Sequence, residues 1–285
     1  MTRLVALLGK PLRRRHSQVM HDAAFAAAGI DARYVLRELD EAEVPAAVEA
    51  ARGADWLGLG VTAPYKRLVA TLVDEIEDDA RAIGAVNNVV RTDQGRLVGI
   101  NTDALGFRAG AELAMEFPLE GANVVLVGAG GAAGAVAHAL VEAGVARVTV
   151  ANRTADRAAA LVAELPRHGL SRAQAAELGG HDFLKALAEA DLAVNATTVG
   201  MVDPGATIPV DRLPDWATVF DLVYVPPETP LLRAARERGL KAANGSEMLI
   251  AQAAAAFERW TGVAGMAGVM REAVAPLLAD PTAPA

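Results

Sequence analysis

A short apolar run that ends in a cluster of glycines constrains the fold of this chain more than any other feature. Residues 124–127 are valine or leucine and stop at a glycine, which predicts a buried parallel strand. The turn that follows is made of small residues: Gly128, Ala129, Gly130, Gly131, Ala132 and Ala133. Such a G-x-G-x-x-A turn lets the backbone approach a pyrophosphate, and the next helix directs its amide groups towards the negative charge. With a second apolar strand predicted at residues 148–151, the stretch indicates a β-α-β unit that binds a dinucleotide.

The residues after the second strand indicate which dinucleotide is bound. An acidic residue about 20 positions beyond the glycine turn usually meets a free ribose 2′-hydroxyl, whereas an arginine there accommodates a 2′-phosphate. This chain has Asn152, Arg153 and Thr154 at that place, and a guanidinium can hold a phosphate through two hydrogen bonds. The nearby Asp156 is expected in the first turn of the next helix, with Thr154 as its N-cap. We therefore predict NADP rather than NAD as the cofactor.

Composition argues against several classes of function. The formal charge of −8 gives no electrostatic reason to expect nucleic acid or an anionic membrane as a partner, and the arginines at residues 13–15 are too few for a nucleic-acid-binding arm. The chain has no cysteine, which excludes disulfides and thiolate nucleophiles, and no metal is expected because no cluster of ligands stands out. Residues 4–8 are apolar only over the length of a strand, and no apolar run reaches transmembrane length. We therefore expect a soluble cytoplasmic protein without an export signal.

The length of 285 residues suits two domains, and the first hundred residues predict one α/β domain. Strands are predicted at residues 4–8, 33–37, 56–61, 86–91 and 96–100, and a turn at 92–95 joins the last two as a hairpin. Helices are predicted from an N-cap at Ser17 to Gly29, over residues 43–52 and over residues 74–83.

The rest of the chain predicts further alternation of helices and strands. Thr102 is expected to cap a helix that runs to about residue 117, and residues 118–121 interrupt the chain before the dinucleotide unit. Strands are predicted at residues 192–195 and 219–223, and helices at residues 155–165, 182–190, 229–238, 246–260 and 264–278. Residues 166–180 allow no clear prediction, and residues 280–285 are expected to form a frayed tail.

A nicotinamide enzyme needs a group that gives or takes a proton beside the reacting carbon, and a lysine is the best candidate here. The histidines have no obvious carboxylate partner in the sequence, and we interpret most as surface or packing residues: His16, His21, His138, His168 and His181. Lys66 follows the strand at 56–61, and Asp103 follows the strand at 96–100, which is where α/β domains place their ligands. Together they can relay a hydroxyl proton. The residues alone leave open that Lys66 is a solvated helix residue and Asp103 only a helix cap.

Further motifs extend over nearly the whole chain. They are Gly9-Lys10-Pro11 with Ser17 and His21, residues 61–66, residues 84–87, residues 101–106, the glycine turn, Asn152-Arg153-Thr154, residues 195–201, residues 221–226 with 229–231, and Gly245 with Met248 and Gln252. Together these motifs resemble the shikimate dehydrogenase family. The resemblance implies NADP-linked interconversion of a ring hydroxyl and a ketone, as between shikimate and 3-dehydroshikimate. It also implies two α/β domains: a substrate domain over 1–101, a Rossmann-type NADP-binding domain over 102–240, and C-terminal helices at 241–285 that pack back on the substrate domain.

The resemblance also assigns roles to individual residues. Lys66 and Asp103 correspond to the catalytic pair of the family. The implied substrate contacts are Thr62, Asn87 and Gln252 for ring hydroxyls, and Ser17 and Tyr224 on the carboxylate side. The implied cofactor contacts are the glycine turn, Asn152, Arg153 and Thr154, together with Thr197 and Gly245.

Four positions depart from the family pattern. Arg15 and Gln18 replace a serine and a proline of the first loop, Gly60 replaces an asparagine, and Asn88 replaces a threonine. Arg15 either clamps the substrate carboxylate, fills part of its pocket or points to solvent. Gly60 removes a polar group and is expected to open space, which suggests a changed or larger substrate.

These departures leave two alternatives to shikimate turnover. One is a related enzyme that acts on quinate, an amino analogue or another cyclic hydroxy acid. The other is a non-catalytic NADP-binding protein, against which Lys66, Asp103, Asn87 and Gln252 argue. The sequence is compatible with a monomer or a homodimer.

Overall fold

The structure is a computed structural model that describes residues 2–12, 14–165, 172–201 and 205–279. The chain divides into two compact units. Unit 1 contains the residues up to 103 and those from 250 onward, and unit 2 contains residues 104–249. In the described part of the chain, no helix is both long and apolar enough to cross a membrane.

Strands and helices alternate through both units. The strands are β1 Arg3–Gly9, β2 Ala32–Glu38, β3 Trp56–Val61, β4 Glu75–Ile76, β5 Asn88–Arg91, β6 Leu97–Ile100, β7 Asn123–Val127, β8 Arg147–Asn152, β9 Arg172–Glu177, β10 Leu192–Asn195, β11 Thr218–Asp221 and β12 Lys241–Asn244. The helices are α1 His16–Ala27, α2 Val44–Ala50, α3 Lys66–Ala70, α4 Asp78–Ile83, α5 Asp103–Met115, α6 Gly131–Glu142, α7 Ala155–Glu164, α8 His181–Ala188, α9 Pro230–Glu237, α10 Ser246–Thr261 and α11 Ala267–Ala279.

Unit 1 is built on a mixed sheet with the strand order β2-β1-β3-β5-β6-β4. Strand β1 pairs in parallel with β2 and β3, whereas β5 pairs antiparallel with both β3 and β6. The hairpin predicted around residues 92–95 is confirmed as the connection between β5 and β6. Helix α11 packs against α1, so the last described helix and the first helix belong to the same unit.

The prediction of one continuous helix over residues 74–83 was wrong. Strand β4 pairs in parallel with Val98 and Gly99 of β6, and the Asp74 carboxylate accepts a hydrogen bond from the Leu97 amide at 2.7 Å. Because these bonds hold the segment at the edge of the sheet, only α4 is helical.

The prediction that Ser17 is the N-cap of the first helix was also wrong. Helix α1 begins at His16, and Arg15 occupies the cap position without a capping hydrogen bond from its side chain. Ser17 is therefore the second residue of the helix, where it lies half-buried.

Unit 2 contains a parallel sheet with the strand order β12-β11-β10-β7-β8-β9. Its chain order reverses direction between β7 and β10, as in a doubly wound dinucleotide-binding fold. The predicted β-α-β unit consists of β7, α6 and β8, and the α/β fold class with a Rossmann-type sheet is confirmed. Helix α6 is buried along most of its length, because its alanine, glycine and valine residues let it pack closely.

Two strands of unit 2 were absent from the predictions. Strand β9 falls within residues 166–180, and residues 166–171 of that segment lie outside the described residues. Strand β12 pairs with β11 at the edge of the sheet, and its residues lack the β-branched side chains that mark a strand. The tail predicted at residues 280–285 also lies outside the described residues.

Candidate active site

Lys66 and Asp103 form an ion pair within unit 1. Lys66 is the first residue of α3 and Asp103 is the first residue of α5, and the Lys66 Nζ donates to Asp103 Oδ2 at 2.5 Å. The two side chains are 17% and 10% exposed, respectively. Lys66 is therefore not a solvated helix residue, and the pair predicted from the sequence is in contact.

Asn87 holds the second oxygen of the Asp103 carboxylate. Its Nδ2 donates to Asp103 Oδ1 at 2.8 Å and to Thr102 Oγ1 at 3.2 Å. Its Oδ1 accepts hydrogen bonds from the Thr102 backbone amide at 2.9 Å and from Asn88 Nδ2 at 2.8 Å. Both hydrogens and both acceptor positions of this amide are therefore in use, and Asn87 fixes the orientation of the carboxylate.

Thr102 connects this group to Gln252 of α10. Its hydroxyl accepts a hydrogen bond from Asn88 Nδ2 at 3.0 Å and lies 3.4 Å from Gln252 Oε1. Asn87, Asn88, Thr102 and Asp103 are all buried. We call the set Lys66, Asp103, Asn87, Asn88, Thr102 and Gln252 the polar network.

The other predicted substrate residues lie on different elements. Thr62 follows β3 directly and is half-buried, with its backbone amide bonded to the Leu8 carbonyl at 2.9 Å. Arg15 is exposed at the N-cap position of α1, and Ser17, two residues later, is half-buried. Tyr224 belongs to unit 2. Of the residues predicted to contact substrate, Asn87 bonds directly to Asp103, and Gln252 is linked to the same network through the Thr102 hydroxyl.

Gly60 does not open space, contrary to the expectation from the sequence. A Cβ atom placed on Gly60 would lie 2.6 Å from the Tyr34 hydroxyl oxygen and 3.2 Å from Leu7 Cδ1. The Tyr34 ring stacks on His21 with centroids 4.6 Å apart and lies 6.1 Å from the Trp260 ring. The volume beside β3 is thus filled from β2, by an aromatic residue that is distant in sequence.

Burial in this aromatic cluster controls the charge of both polar rings. Burial and the nearby Asp22 carboxylate raise the pKa of Tyr34, so its hydroxyl stays protonated. Burial lowers the pKa of His21 to about 3, so its imidazole is neutral at physiological pH. Both side chains pack in the core and carry no charge.

The remaining histidines only partly match the interpretation from the sequence. His16 and His138 are buried, and His181 is exposed at the start of α8, whereas His168 lies outside the described residues. His138 does have a carboxylate neighbour, because Glu142 follows one helical turn later and approaches its Nε2 to 3.3 Å. The sequence spacing of four residues in a helix would have revealed this pair.

The glycine turn of unit 2 has the shape that a bound pyrophosphate requires. Gly128 adopts φ 118°, and a Cβ there would lie 2.9 Å from the Ala196 carbonyl oxygen, so glycine is needed for both reasons. Gly130 is exposed, and no atom lies within 4 Å of a Cβ placed on it. Gly130 is also the N-cap of α6 without a side-chain cap, so the first amides of the helix face an open cradle.

The Asn152–Thr154 segment lies at the end of β8. Asn152 Nδ2 donates to the Thr154 carbonyl at 3.0 Å, while Arg153 and Thr154 are exposed. Asp156 is in the first turn of α7, as predicted, and Thr154 occupies the N-cap position without a side-chain capping bond. Arg153 is therefore available to an anionic group at this edge of the sheet.

A buried carboxylate organises the ends of β10 and β11. Asp221 is fully buried and accepts hydrogen bonds from Asn195 Nδ2 at 2.8 Å and from the Thr229 hydroxyl at 2.6 Å. Burial raises the pKa of Asp221, although these hydrogen bonds oppose the shift. Asn195 Oδ1 in turn accepts a hydrogen bond from the Thr197 hydroxyl at 2.7 Å. A Cβ on Gly245 would overlap the Leu222 carbonyl oxygen, so Gly245 permits close approach of two backbone segments.

Sequence reasoning missed the parts played by Thr102, Asn88 and Tyr34. Thr102 was interpreted only as a helix cap, and Asn88 only as a departure from a family pattern. The sequence feature that could have revealed Asn88 and Thr102 is the predicted hairpin, because it pairs β5 with β6 and places residue 88 opposite Ile100 and close to Thr102. Nothing in the sequence connects Tyr34 with Gly60.

Comparison with known proteins identifies the family. The sequence model of the shikimate dehydrogenase substrate-binding domain matches residues 7–89, that of shikimate/quinate 5-dehydrogenase matches residues 111–201, and that of the shikimate 5′-dehydrogenase C-terminal domain matches residues 245–275. A shikimate dehydrogenase (NADP⁺) of Symbiobacterium thermophilum is 42% identical, with 95% of this chain and 93% of the relative covered.

Solved structures agree with the sequence comparisons. Shikimate 5-dehydrogenase from Thermus thermophilus, in complex with NADP(H) and shikimate, matches with a TM-score of 0.85 and 38% identity over 96% of this chain and 99% of that chain. Quinate dehydrogenase from Corynebacterium glutamicum, in complex with NAD, matches with a TM-score of 0.88 and 35% identity over 96% of this chain and 99% of that chain. The resemblance predicted from the motifs is confirmed, and the chain belongs to the shikimate dehydrogenase family.

Proposed function

We propose that this protein is an NADP-dependent dehydrogenase that interconverts shikimate and 3-dehydroshikimate. The observation that carries the proposal is the Lys66–Asp103 ion pair, whose carboxylate is held from its other side by Asn87. This arrangement places one proton donor with a fixed orientation in a mostly buried polar group. A secondary alcohol that loses hydride must lose its hydroxyl proton as well, and this group can receive it.

Lys66 handles the proton at the reacting oxygen of the substrate. As an ammonium beside the carboxylate, it can give a proton to the oxygen of a ketone as the ketone is reduced. In the opposite direction the neutral amine takes the proton from the hydroxyl. Asp103 directs the Nζ and stabilises its charge, and Asn87 keeps Asp103 in place.

The residues of unit 2 fit an NADP molecule. The open cradle at Gly130 and the uncapped start of α6 suit a pyrophosphate, and the exposed Arg153 suits a 2′-phosphate. When bound, NADP supplies the carbon that accepts or donates the hydride. Asn152 and Thr154 flank the arginine and add neutral polar groups.

Several assignments in this proposal come from the family. We propose that Thr62, Asn87 and Gln252 contact ring hydroxyls and that Ser17 and Tyr224 lie on the carboxylate side. Arg15, which is exposed at the N-cap position of α1, is the remaining proposed contact to the substrate. The domain boundaries near residues 101 and 240, a cytoplasmic location, and a monomeric or homodimeric state stay predictions.

Substitution of Lys66 tests the proton-transfer role. We expect Lys66→Met to lower kcat by about 10²–10⁴-fold, which is the usual contribution of a general acid–base group, while NADP⁺ affinity stays within about threefold. NADPH absorbance measures turnover, and a fluorescence titration measures cofactor binding. Lys185→Met on α8, an exposed lysine, is the matched control. Parallel loss of turnover and NADP⁺ binding in Lys66→Met would assign the lysine a structural role instead.

A substrate panel tests the identity of the ring acid. We expect turnover with shikimate and NADP⁺ to exceed turnover with quinate, and NADP⁺ to be preferred over NAD⁺. A higher kcat/KM for quinate would identify the protein as a quinate dehydrogenase. NADP⁺ binding without turnover of any ring acid would favour the non-catalytic alternative.

A further inference from the structure

In the polar network, the Asp103 carboxylate determines which atom of each neighbouring side chain donates a hydrogen bond and which accepts one. A carboxylate can only accept hydrogen bonds, and a backbone N–H can only donate. Asn87 lies between the Asp103 carboxylate and the Thr102 amide, so its Nδ2 must face Asp103 and its Oδ1 must face Thr102. The orientation of the Asn87 amide therefore follows from its neighbours and leaves no ambiguity between nitrogen and oxygen.

Asn88 carries this direction one step further. Because Asn87 Oδ1 is an acceptor, the atom of Asn88 that lies 2.8 Å away must be the donor Nδ2. The same Nδ2 lies 3.0 Å from Thr102 Oγ1, so its second hydrogen is donated there. Asn88 is 4% exposed, and neither of these acceptors is exchanged easily for water.

Thr102 then has only one way to orient its hydroxyl hydrogen. A hydroxyl has two acceptor positions and one donor hydrogen. Asn87 and Asn88 both donate to Oγ1, so both acceptor positions are occupied. The hydrogen must therefore point to the third neighbour, Gln252 Oε1, at 3.4 Å. This bond directs the oxygen of the Gln252 amide towards Thr102 and its nitrogen to the opposite side.

We propose that Asn88 is a positioning residue that fixes the Gln252 amide so that its Nε2 donates to an acceptor oxygen of the substrate. The proposal rests on the proposed function, because Gln252 is assigned to the substrate by family membership. Asn88 does not touch the substrate in this scheme. It acts through Thr102, whose hydroxyl it saturates with a donated hydrogen bond. The enzyme thereby favours ring acids that accept, rather than donate, a hydrogen bond at this place.

Two substitutions of Asn88 that have nearly the same shape can separate its hydrogen-bonding role from its contribution to packing. Threonine and valine at position 88 differ by a hydroxyl, and only threonine can donate to Thr102 Oγ1. We expect Asn88→Val to raise KM for shikimate about tenfold, because Thr102 then regains a free acceptor position and the Gln252 amide can reverse. Asn88→Thr should stay within about threefold of the parent KM. NADP⁺ affinity is the control, since the glycine turn belongs to unit 2.

The same pair in a Gln252→Leu background tests the path through Thr102. Without an amide to orient, Asn88→Val and Asn88→Thr should differ in KM by less than about twofold. An equal effect of Asn88→Val in both backgrounds, or equal KM values for the threonine and valine variants in the parent, would overturn the inference. If the parent protein does not turn over shikimate, the proposed function is refuted, and the inference about Asn88 is refuted as well.

Gln252→Glu supplies a measurement that does not depend on how the Asn88 variants fold. Glutamate retains an oxygen that accepts the Thr102 hydroxyl hydrogen, but at neutral pH it has no hydrogen to donate to the substrate. We expect its KM for shikimate to be raised as much as that of Gln252→Leu, by about tenfold or more. A KM for Gln252→Glu near the parent value would show that the substrate needs no hydrogen bond donated from residue 252. That result would overturn the inference.

Discussion

Substitution of Gly60 by alanine tests whether the Tyr34 hydroxyl fills the space beside β3. A Cβ on Gly60 would lie 2.6 Å from the Tyr34 oxygen and 3.2 Å from Leu7 Cδ1. The end of the Leu7 side chain can move by a small rotation, whereas the Tyr34 ring is packed against the rings of both His21 and Trp260, which also contact each other. We therefore expect Gly60→Ala to overpack this part of unit 1.

The expected magnitude follows from two opposing contributions. Overpacking a core costs about 1–3 kcal/mol, and replacing a strand glycine by alanine recovers about 0.5–1 kcal/mol of chain entropy. Gly60→Ala alone should thus lower the free energy of unfolding by up to about 2.5 kcal/mol. After Tyr34→Phe the nearest ring atom is Cζ at 3.6 Å, an ordinary contact. In that background Gly60→Ala should be neutral or stabilising, which gives a coupling energy of about 1–3 kcal/mol.

Denaturant unfolding followed by tryptophan fluorescence measures this coupling. Trp56 and Trp260 are buried in unit 1, whereas Trp216 in unit 2 is already 69% exposed, so the fluorescence change reports mainly on unit 1. The midpoints should be compared at equal m-values. Additive effects of Gly60→Ala and Tyr34→Phe would refute the reasoning, as would a Gly60→Ala variant more stable than the parent.

Three further predictions concern pH and the cofactor. Burial lowers the pKa of His21 to about 3. Below about pH 6.5 the unfolded chain therefore binds a proton at this residue that the folded chain does not bind. As a result, the free energy of unfolding should fall by up to about 1.4 kcal/mol per pH unit as the pH decreases. His21→Phe should reduce this slope in denaturation curves, and an unchanged slope would contradict the role of burial. Gly130→Ala should leave the melting temperature unchanged but weaken NADP⁺ binding by at least about tenfold, because the added methyl group occupies the space proposed for the pyrophosphate at the start of α6. Unchanged NADP⁺ affinity would place the pyrophosphate elsewhere. Arg153→Ser should weaken NADP⁺ binding by about tenfold to a hundredfold and leave NAD⁺ binding nearly unchanged, and equal losses for both would exclude a 2′-phosphate contact.

The sequence predicted the parts of the fold that depend on local patterns. The glycine turn, the apolar strands β7 and β8 and the Lys66 and Asp103 positions at strand ends all follow from short motifs, and the structure contains each of them. The two-residue strand β4 and the edge strand β12 were missed, because pairing with a neighbouring strand, rather than their own residues, makes them strands.

The site was predictable only where its residues carry their own chemistry. Lys66 and Asp103 are polar residues at the ends of strands, and each was identified as a candidate. Asn88 and Thr102 matter because β5 and β6 bring them together, and the direction of their hydrogen bonds depends on a carboxylate on another element. The space at Gly60 was misjudged for the same reason: Tyr34, which fills it, comes from β2 and is separated from Gly60 by β1 in the sheet.

The division of unit 1 into two chain segments has a consequence for biosynthesis. Unit 2 is continuous from residue 104 to residue 249, so all of its strands are synthesised before α11. Unit 1 begins first but cannot be completed until the residues from 250 onward provide the helix that packs against α1. Until then α1 exposes apolar surface, which is a risk for aggregation during synthesis. The unit that contains the first strands to be translated is thus the last to have all of its residues synthesised.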